Sequence, residues 1–447
     1  MSLDIHSVVL LCWSNFISKS KNKSSLVLNF LHSVIILSFL QLSIYNQCMK
    51  ISEKALIALS VSLYALFFLA ISLNAKFNLL GVPTMQPSFA DLRLITSASE
   101  CFQTKGWTIN SVSCDPWGRP FNYPSLWVKI FAAIGITQVN TNFIGALEIV
   151  ILSLSFFYWI CRFRFSAMTK DGSSLPWLFV FCFLLSPPIL LLMERGNIDS
   201  LLFASMTLAA ELLRRQSVVS AGVLVAFLGS LKLYPFGGIF SILFVTQSKQ
   251  KRILILIVSL ISGLLLLGEL RFISDRSLTS WNSLSYGIFI LPFIFFQKFG
   301  IPDSRIAAIS LGLMILIFVT VLCKIVFNKY LDQVTFLIRK NSEFEKFFIM
   351  FGVTFVTTYL MGTSYDYRLV ITFPLFMTFY LSCRLRSEKL LVFFSALLVM
   401  YGGHLTFKLT QGGMLLNCLG DAFITLFCSL VLLVLIQLIR KRVRENL

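Results

Sequence analysis

The chain has 447 residues, 57% of them hydrophobic and only 13% charged, about half the charged fraction of a soluble domain; a water-soluble fold is excluded. Its 38 Lys and Arg exceed its 20 Asp and Glu by a formal +18. The basic residues fall in short clusters between apolar runs, so they read as membrane-topology signals and no nucleic-acid partner is expected.

In chain order, residues 1–53 read as an amphipathic or membrane-associated N-terminal extension. Its apolar stretch 24–46 would leave Lys19, Lys21 and Lys23 outside if it spanned, so a helix on the membrane surface or facing the cytoplasm is favoured. No cleavable signal peptide is read, because Asp4 and His6 interrupt the start. Residues 54–447 read as a single transmembrane domain. Apolar runs at 54–75, 142–161, 174–193, 197–213, 217–232, 234–247, 252–270, 304–328, 346–361, 367–383, 388–406 and 414–439 predict an all-α polytopic bundle of about twelve transmembrane helices. Started inside at Lys50 and Lys54, this threading puts the basic clusters around Arg162, Arg214, Lys251, Arg339, Arg384 and Arg440 in the cytoplasm. About 22 Lys and Arg then lie inside and about 13 outside. Residues 283–298, short and carrying Pro292, read as a re-entrant or interfacial helix, since a further span would put Arg339 and Lys340 outside.

Between the first two spans lies an outer loop, 76–141, of about 65 residues, far beyond ordinary connection length and so expected to carry function. Two surface helices are predicted in it, one over 88–101 N-capped near Ser88 and one over 123–134 starting after Pro124. The loop collects Asp91, Arg93, Glu100, Lys105, Asp115 and Arg119. Cys101 and Cys114 share it; a disulfide, worth roughly 3 kcal/mol for a ring of about 14 residues, and two packed free thiols are both open. With three His in the chain (His6, His32, His404) and no CxxC pair, no structural zinc site or HExxH centre is expected. No GxGxxG, P-loop or GxSxG motif is present.

The pieces "FADLR", "KGW" and "GRPFNYPSLW" of this loop resemble the membrane glycosyltransferases of the C superfamily (GT-C). The block "ERGNIDSLLFASMTLAAELLRRQSVVSAGVLVAFLGSLKLYPF" and the later "SYDYRLVITFPLF" are similar to glycosyltransferase family 87, the resemblance covering roughly 54–380. Asn122 and Ser125 depart from the pattern, where relatives often carry an acid and a second Pro. The resemblance implies a GT-C-like bundle with outer-face juxtamembrane helices, in the plasma (inner) membrane with the active site facing the periplasm or outer side. It implies inverting transfer of a hexose such as mannose from a polyprenyl-phosphate sugar donor to a lipid or glycan acceptor, with no essential cofactor and a divalent metal left open.

The residues make chemical sense of that reaction. A phosphate leaves as an anion without protonation, so one carboxylate base suffices where a glycosidase needs two. Under the threading above, Asp91, Lys105, Arg119, Arg195, Lys232, Asp366, Arg368, His404 and Lys408 all fall on the outer side. Asp91 is the expected catalytic base, with Glu100 its understudy. Lys232 and Arg368, and more weakly Arg195, are expected to hold the donor phosphate. Glu100, Lys105, Arg119, Tyr123, Asn197, Asp366 and His404 are weaker substrate-binding candidates. Each has a plainer alternative: Asp91 pairing with Arg93, Arg195 in an ion-pair turn with Glu194 or Asp199, Lys232 snorkelling to the headgroups, Asp366 and Arg368 on different faces of one helix. Two other classes stay open, a transporter or flippase for an anionic lipid-linked substrate and a non-catalytic scaffold. The first would need ionisable residues or discontinuous helices at the midplane, and the second leaves the charged loop unexplained.

Overall fold

The structure is a computed structural model that describes residues 82, 84–106, 114–164, 177–276, 285–299, 305–361, 364–383, 385–410 and 414–446. The expected N-terminal extension and the first span, 54–75, lie outside the described residues.

The outer loop contributes α1 (Ala90–Lys105) and α2 (Ser125–Ala133). The start of α1 corrects one expectation: the N-cap is Phe89 in the left-handed region (φ 62, ψ 44), with no side-chain cap. The Ser88 carbonyl oxygen instead accepts a hydrogen bond from Arg93 Nε at 2.8 Å. Tertiary packing sets this start, because Phe89 N–H donates to the Glu194 carbonyl at 3.0 Å and a Cβ on Gly145 or Gly196 would collide with the Phe89 ring. By contrast, α2 begins after Pro124, whose ring holds φ at −55, as the sequence predicts.

The bundle follows as α3 (Thr141–Arg164), α4 (Trp177–Leu184), α5 (Pro187–Arg195), α6 (Asp199–Arg214), α7 (Val218–Leu231), α8 (Gly237–Val245) and α9 (Lys249–Arg276). After β1 (Ser285–Tyr286) come α10 (Ile290–Phe299), α11 (Arg305–Lys340) and α12 (Ser342–Leu360). β2 (Ser364–Tyr365), a 3-10 segment (Asp366–Thr372), α13 (Phe373–Ser382), α14 (Arg386–Thr410) and α15 (Met414–Asn446) complete the chain.

The fold is thus an all-helical polytopic membrane architecture, but about twelve full spans are not what the described residues show. Four helices among them are long and apolar enough to cross a membrane: Gln138–Phe163, Lys249–Glu269, Ile306–Lys340 and Leu419–Arg444. The predicted span 174–193 is split into α4 and α5 at Pro187 and Pro188, which cannot donate helical N–H groups. The predicted span 367–383 is a 3-10 turn followed by the ten-residue α13. Conversely, α11 runs on past the predicted 328 to Lys340. Hydropathy reads composition alone, and these short helices have polar ends that are satisfied inside the protein rather than in headgroups.

Helices α7 and α9 pack together, as do α8 and α12, and α15 packs against both α11 and α14. Their core is aromatic: Phe156 meets Phe203, Phe183 and Phe373, Trp159 packs edge-on to Phe347 and Phe351, and Phe376 stacks on Phe427 at 3.8 Å. Outward, α9 and α11 present Ile257, Ile261, Leu264, Ile317, Phe318 and Ile325, as lipid-facing helices do. At one end of α6, Glu211 binds Arg214 and Arg215 at 2.6 Å each, and Arg162 and Arg214 share Glu343. Asp199 marks the opposite end of α6. There, the antiparallel pairs Ser285–Tyr365 and Tyr286–Ser364 hold the 3-10 segment that carries Arg368.

Candidate active site

Four stretches distant in sequence meet at the Asp199 end of α6. The first is the turn between α5 and α6. Gly196, at φ 55, ends α5: its N–H reaches the Met193 carbonyl (3.1 Å) and Asn197 N–H the Leu192 carbonyl (3.2 Å), a Schellman closure that favours glycine. Asn197 is thereby turned inward, fully buried, and its Oδ1 accepts the Asp199 N–H at 3.0 Å to open α6 as an Asx turn.

The second is the end of α7. Lys232 leaves the helix with an extended backbone (φ −161, ψ 137) ahead of Pro235. Its Nζ donates to Asp199 Oδ2 at 2.8 Å and to Asn197 Oδ1 at 3.4 Å, while Tyr234 OH donates to Asp199 Oδ1 at 3.0 Å. The third is the 3-10 segment. Arg368 Nε lies 3.5 Å from Asp199 Oδ2, and its Nη1 donates to Ser364 Oγ at 3.0 Å. Aromatic faces line the two cations: Lys232 Nζ lies 5.4 Å from the Tyr123 ring centre and 5.8 Å from that of Tyr367, and the Arg368 guanidinium 5.6 Å from that of Tyr234.

The outer loop is the fourth. Asn197 Nδ2 donates to Asp91 Oδ2 at 2.7 Å and to Tyr123 OH at 3.2 Å, so one buried amide links the Asp91 carboxylate to Lys232. Arg119 Nη1 approaches Asp91 Oδ1 at 3.4 Å. Burial opposes the charge of Arg119, but its hydrogen bond to Asp115 and the Asp91 and Asp115 carboxylates outweigh it, and its pKa is raised. Burial likewise pushes the Tyr123 phenol well above its ordinary value, with Asp91 and Asp199 adding to the shift; it remains a neutral hydroxyl. α2 is fixed to this centre by Trp127 Nε1, which donates to the Leu231 carbonyl at 3.0 Å. Glu269 of α9 accepts the N–H and hydroxyl of Ser125.

Of the residues singled out in the sequence, Asp91, Arg119, Tyr123, Asn197, Lys232 and Arg368 come together. The others do not join this network in the contacts described. Arg195 pairs with Glu194 at 3.0 Å and touches Met85, the ion-pair turn of the plainer reading. Glu100 accepts the Gln138 N–H at 3.0 Å ahead of α3, and Lys105 is exposed at the last turn of α1. Asp366 is buried within electrostatic range of Tyr286 and Asp421, while Arg368, two residues on, turns to Asp199. The side chain of His404, in α14, lies outside the described residues. Cys101 and Cys114 are disulfide-bonded, with Cα atoms 6.1 Å apart. Among the described residues no group of three or more His, Cys, Asp or Glu is placed to hold a metal ion.

Asp199 was missed as a site residue. Its 0% side-chain exposure and its three partners make it the keystone of the cation pair. The sequence offered one signal, an acid in the first turn of a helix two residues after Asn197, which was read as a possible partner of Arg195. Tyr234 and Tyr367 carried no signal beyond their places next to Lys232 and Arg368.

Residues 121–323 match the family model described as glycosyltransferase family 87, the family that the sequence motifs resemble. No curated protein and no solved structure matches the chain. The match supports a membrane glycosyltransferase and covers Tyr123, Asn197, Asp199 and Lys232; Asp91 and Arg368 lie outside it.

Proposed function

We propose that the chain transfers a hexose from a polyprenyl-phosphate carrier to a lipid or glycan acceptor, with inversion, at the outer face of the plasma membrane. Asp91 is the base. The observation that carries this reading is the charge balance around Asp199: two cations, Lys232 and Arg368, contact one fully buried carboxylate. The trio carries one more positive than negative charge, in a setting where an uncompensated ion is expensive. A phosphate fits that place, and a water-poor cleft strengthens the stabilisation of its departing charge.

Exposure divides the labour of the two carboxylates. The Asp91 side chain keeps 19% of its surface and that of Asp199 none, so Asp91 can meet an acceptor hydroxyl while Asp199 is confined to holding cations. In the same way Arg368, at 20%, is the more accessible donor contact and Lys232, at 10%, the deeper one. Asn197 bridges base and cations and sets the distance between acceptor and donor. Displacement of phosphate at the anomeric carbon, with the acceptor proton passing to an Asp91 oxygen, needs no second acid.

Mass spectrometry of lipids that copurify with the protein tests the donor. The wild type should retain a polyprenyl-phosphate hexose, and Lys232→Ala and Arg368→Ala should each lose most of it. A wild type that retains none, and transfers sugar from a soluble nucleotide sugar instead, would overturn the donor assignment.

A further inference from the structure

The geometry points to a brace that positions Asp91, built from the Cys101–Cys114 disulfide, Asp115 and Arg119; it rests on the reading of Asp91 as the base. Arg119 was expected to touch substrate, but most of its donors are already engaged. Nε and Nη2 grip Asp115 in a two-pronged pair at 3.1 and 3.0 Å, Nη2 also donates to the Ala90 carbonyl at 2.6 Å, and Nη1 reaches Asp91 at 3.4 Å. The Trp117 ring lies under the guanidinium at 4.8 Å.

Asp115 is in turn immobilised. Its side chain is 2% exposed, its Oδ2 accepts the backbone N–H groups of Trp117 (3.1 Å) and Arg119 (2.9 Å), and its carbonyl accepts that of Gly118 at 3.0 Å. The neighbouring residue, Cys114, is covalently tied to Cys101. The turn at 114–119 is therefore strapped to α1 at two points, Cys101 and Ala90–Asp91, about 16 Å apart at the helical rise of 1.5 Å per residue. α1 cannot tilt or slide without breaking one of them.

Such rigidity has a chemical use. A general base acts on a hydroxyl only within hydrogen-bond reach, and a misplacement of about 1 Å can cost on the order of 100-fold in rate. The 3.4 Å contact from Arg119 is long enough to leave Asp91 Oδ1 able to accept a closer proton. Arg119 and Asp115 are positioning residues, and the donor's cations sit on other elements, α7 and the 3-10 segment.

Kinetics separate this role from a structural one. With polyprenyl-phosphate mannose and an octyl mannoside as probes, Arg119→Met should lose about 10- to 100-fold in kcat and keep its donor KM. The doubly substituted Cys101→Ser, Cys114→Ser protein should lose kcat at unchanged donor KM, and Arg119→Lys, which keeps the charge but not the two-pronged grip on Asp115, should have kcat partly restored. Asp91→Asn, measured alongside, decides the base by itself. If Asp91→Asn is inactive yet Arg119→Met raises donor KM and leaves kcat unchanged, Arg119 is a donor ligand and the brace is overturned. Should Arg119→Met fail to fold, an Arg119→Lys protein with full kcat would overturn it equally.

Discussion

Neutralising Asp199 should unfold the site from its centre. Asp199→Asn preserves size and an oxygen for Tyr234 OH, but leaves Lys232 Nζ facing a neutral amide where it now lies 2.8 Å from a fully buried carboxylate. A charge-assisted hydrogen bond of this kind is worth about 1.5–3 kcal/mol. Stranding the partner charge brings the usual cost of breaking a buried pair to about 3–5 kcal/mol. The contact with Arg368 at 3.5 Å, to a side chain that keeps 20% of its surface, adds little to that figure. At roughly 2 °C per kcal/mol for large domains, tryptophan fluorescence of the protein in detergent should show Tm falling by about 6–10 °C. The double variant Asp199→Asn, Lys232→Met removes both charges and should recover about half of the loss, since the two residues share one interaction. If Asp199→Asn melts with the wild type, or if the double variant is the sum of the single ones, Asp199 is not the keystone assigned to it.

Gly196→Ala should both destabilise and inactivate: the left-handed backbone costs an L-residue about 1–2 kcal/mol, and the new Cβ would sit 2.9 Å from the Phe89 ring and 3.2 Å from Leu92 Cβ, displacing the start of α1 and Asp91 with it. Normal transfer at normal Tm would show that this turn does not register the loop. For orientation, Gln103→Cys in α1 should react with a membrane-impermeant maleimide in intact cells and Gln250→Cys, in the first turn of α9, should be protected, both positions being exposed in the fold; the reverse pattern would turn the site to the cytoplasm.

How far the sequence spoke depends on whether a property is local. Pro124 opening α2 and Lys232 at the end of an apolar run are both written in a few neighbouring residues, and so were found. The start of α1 was misread because Ser88 looks like a cap, whereas the packing of Phe89 against Gly145 and Gly196, far along the chain, determines where the helix begins. The breaks at Pro187 and before α13 vanish in a hydropathy window, which averages over the prolines and 3-10 turns that make them. Asp199 looked like a partner for Arg195 two turns of sequence logic away from any cation pair. That it faces Lys232 and Arg368, while Arg195 goes to Glu194, follows from how α5, α6, α7 and the 3-10 segment pack, which charge spacing does not encode. The disulfide was open for the same reason, since it depends on the turn at 114–119 folding back on α1.

The central claim, that Asp91 takes the acceptor's proton, is tested most directly by Asp91→Asn in proteoliposomes supplied with polyprenyl-phosphate mannose and an octyl mannoside. The carboxamide keeps the shape of the side chain and an acceptor oxygen for Asn197 Nδ2, now 2.7 Å away, but has no basicity. A positioned base contributes roughly 10²- to 10⁴-fold, so the variant should melt near the wild type, bind donor with unchanged affinity and lose kcat by that factor. Transfer above about a tenth of the wild-type rate would lie outside that range and would contradict the assignment of Asp91 as the base.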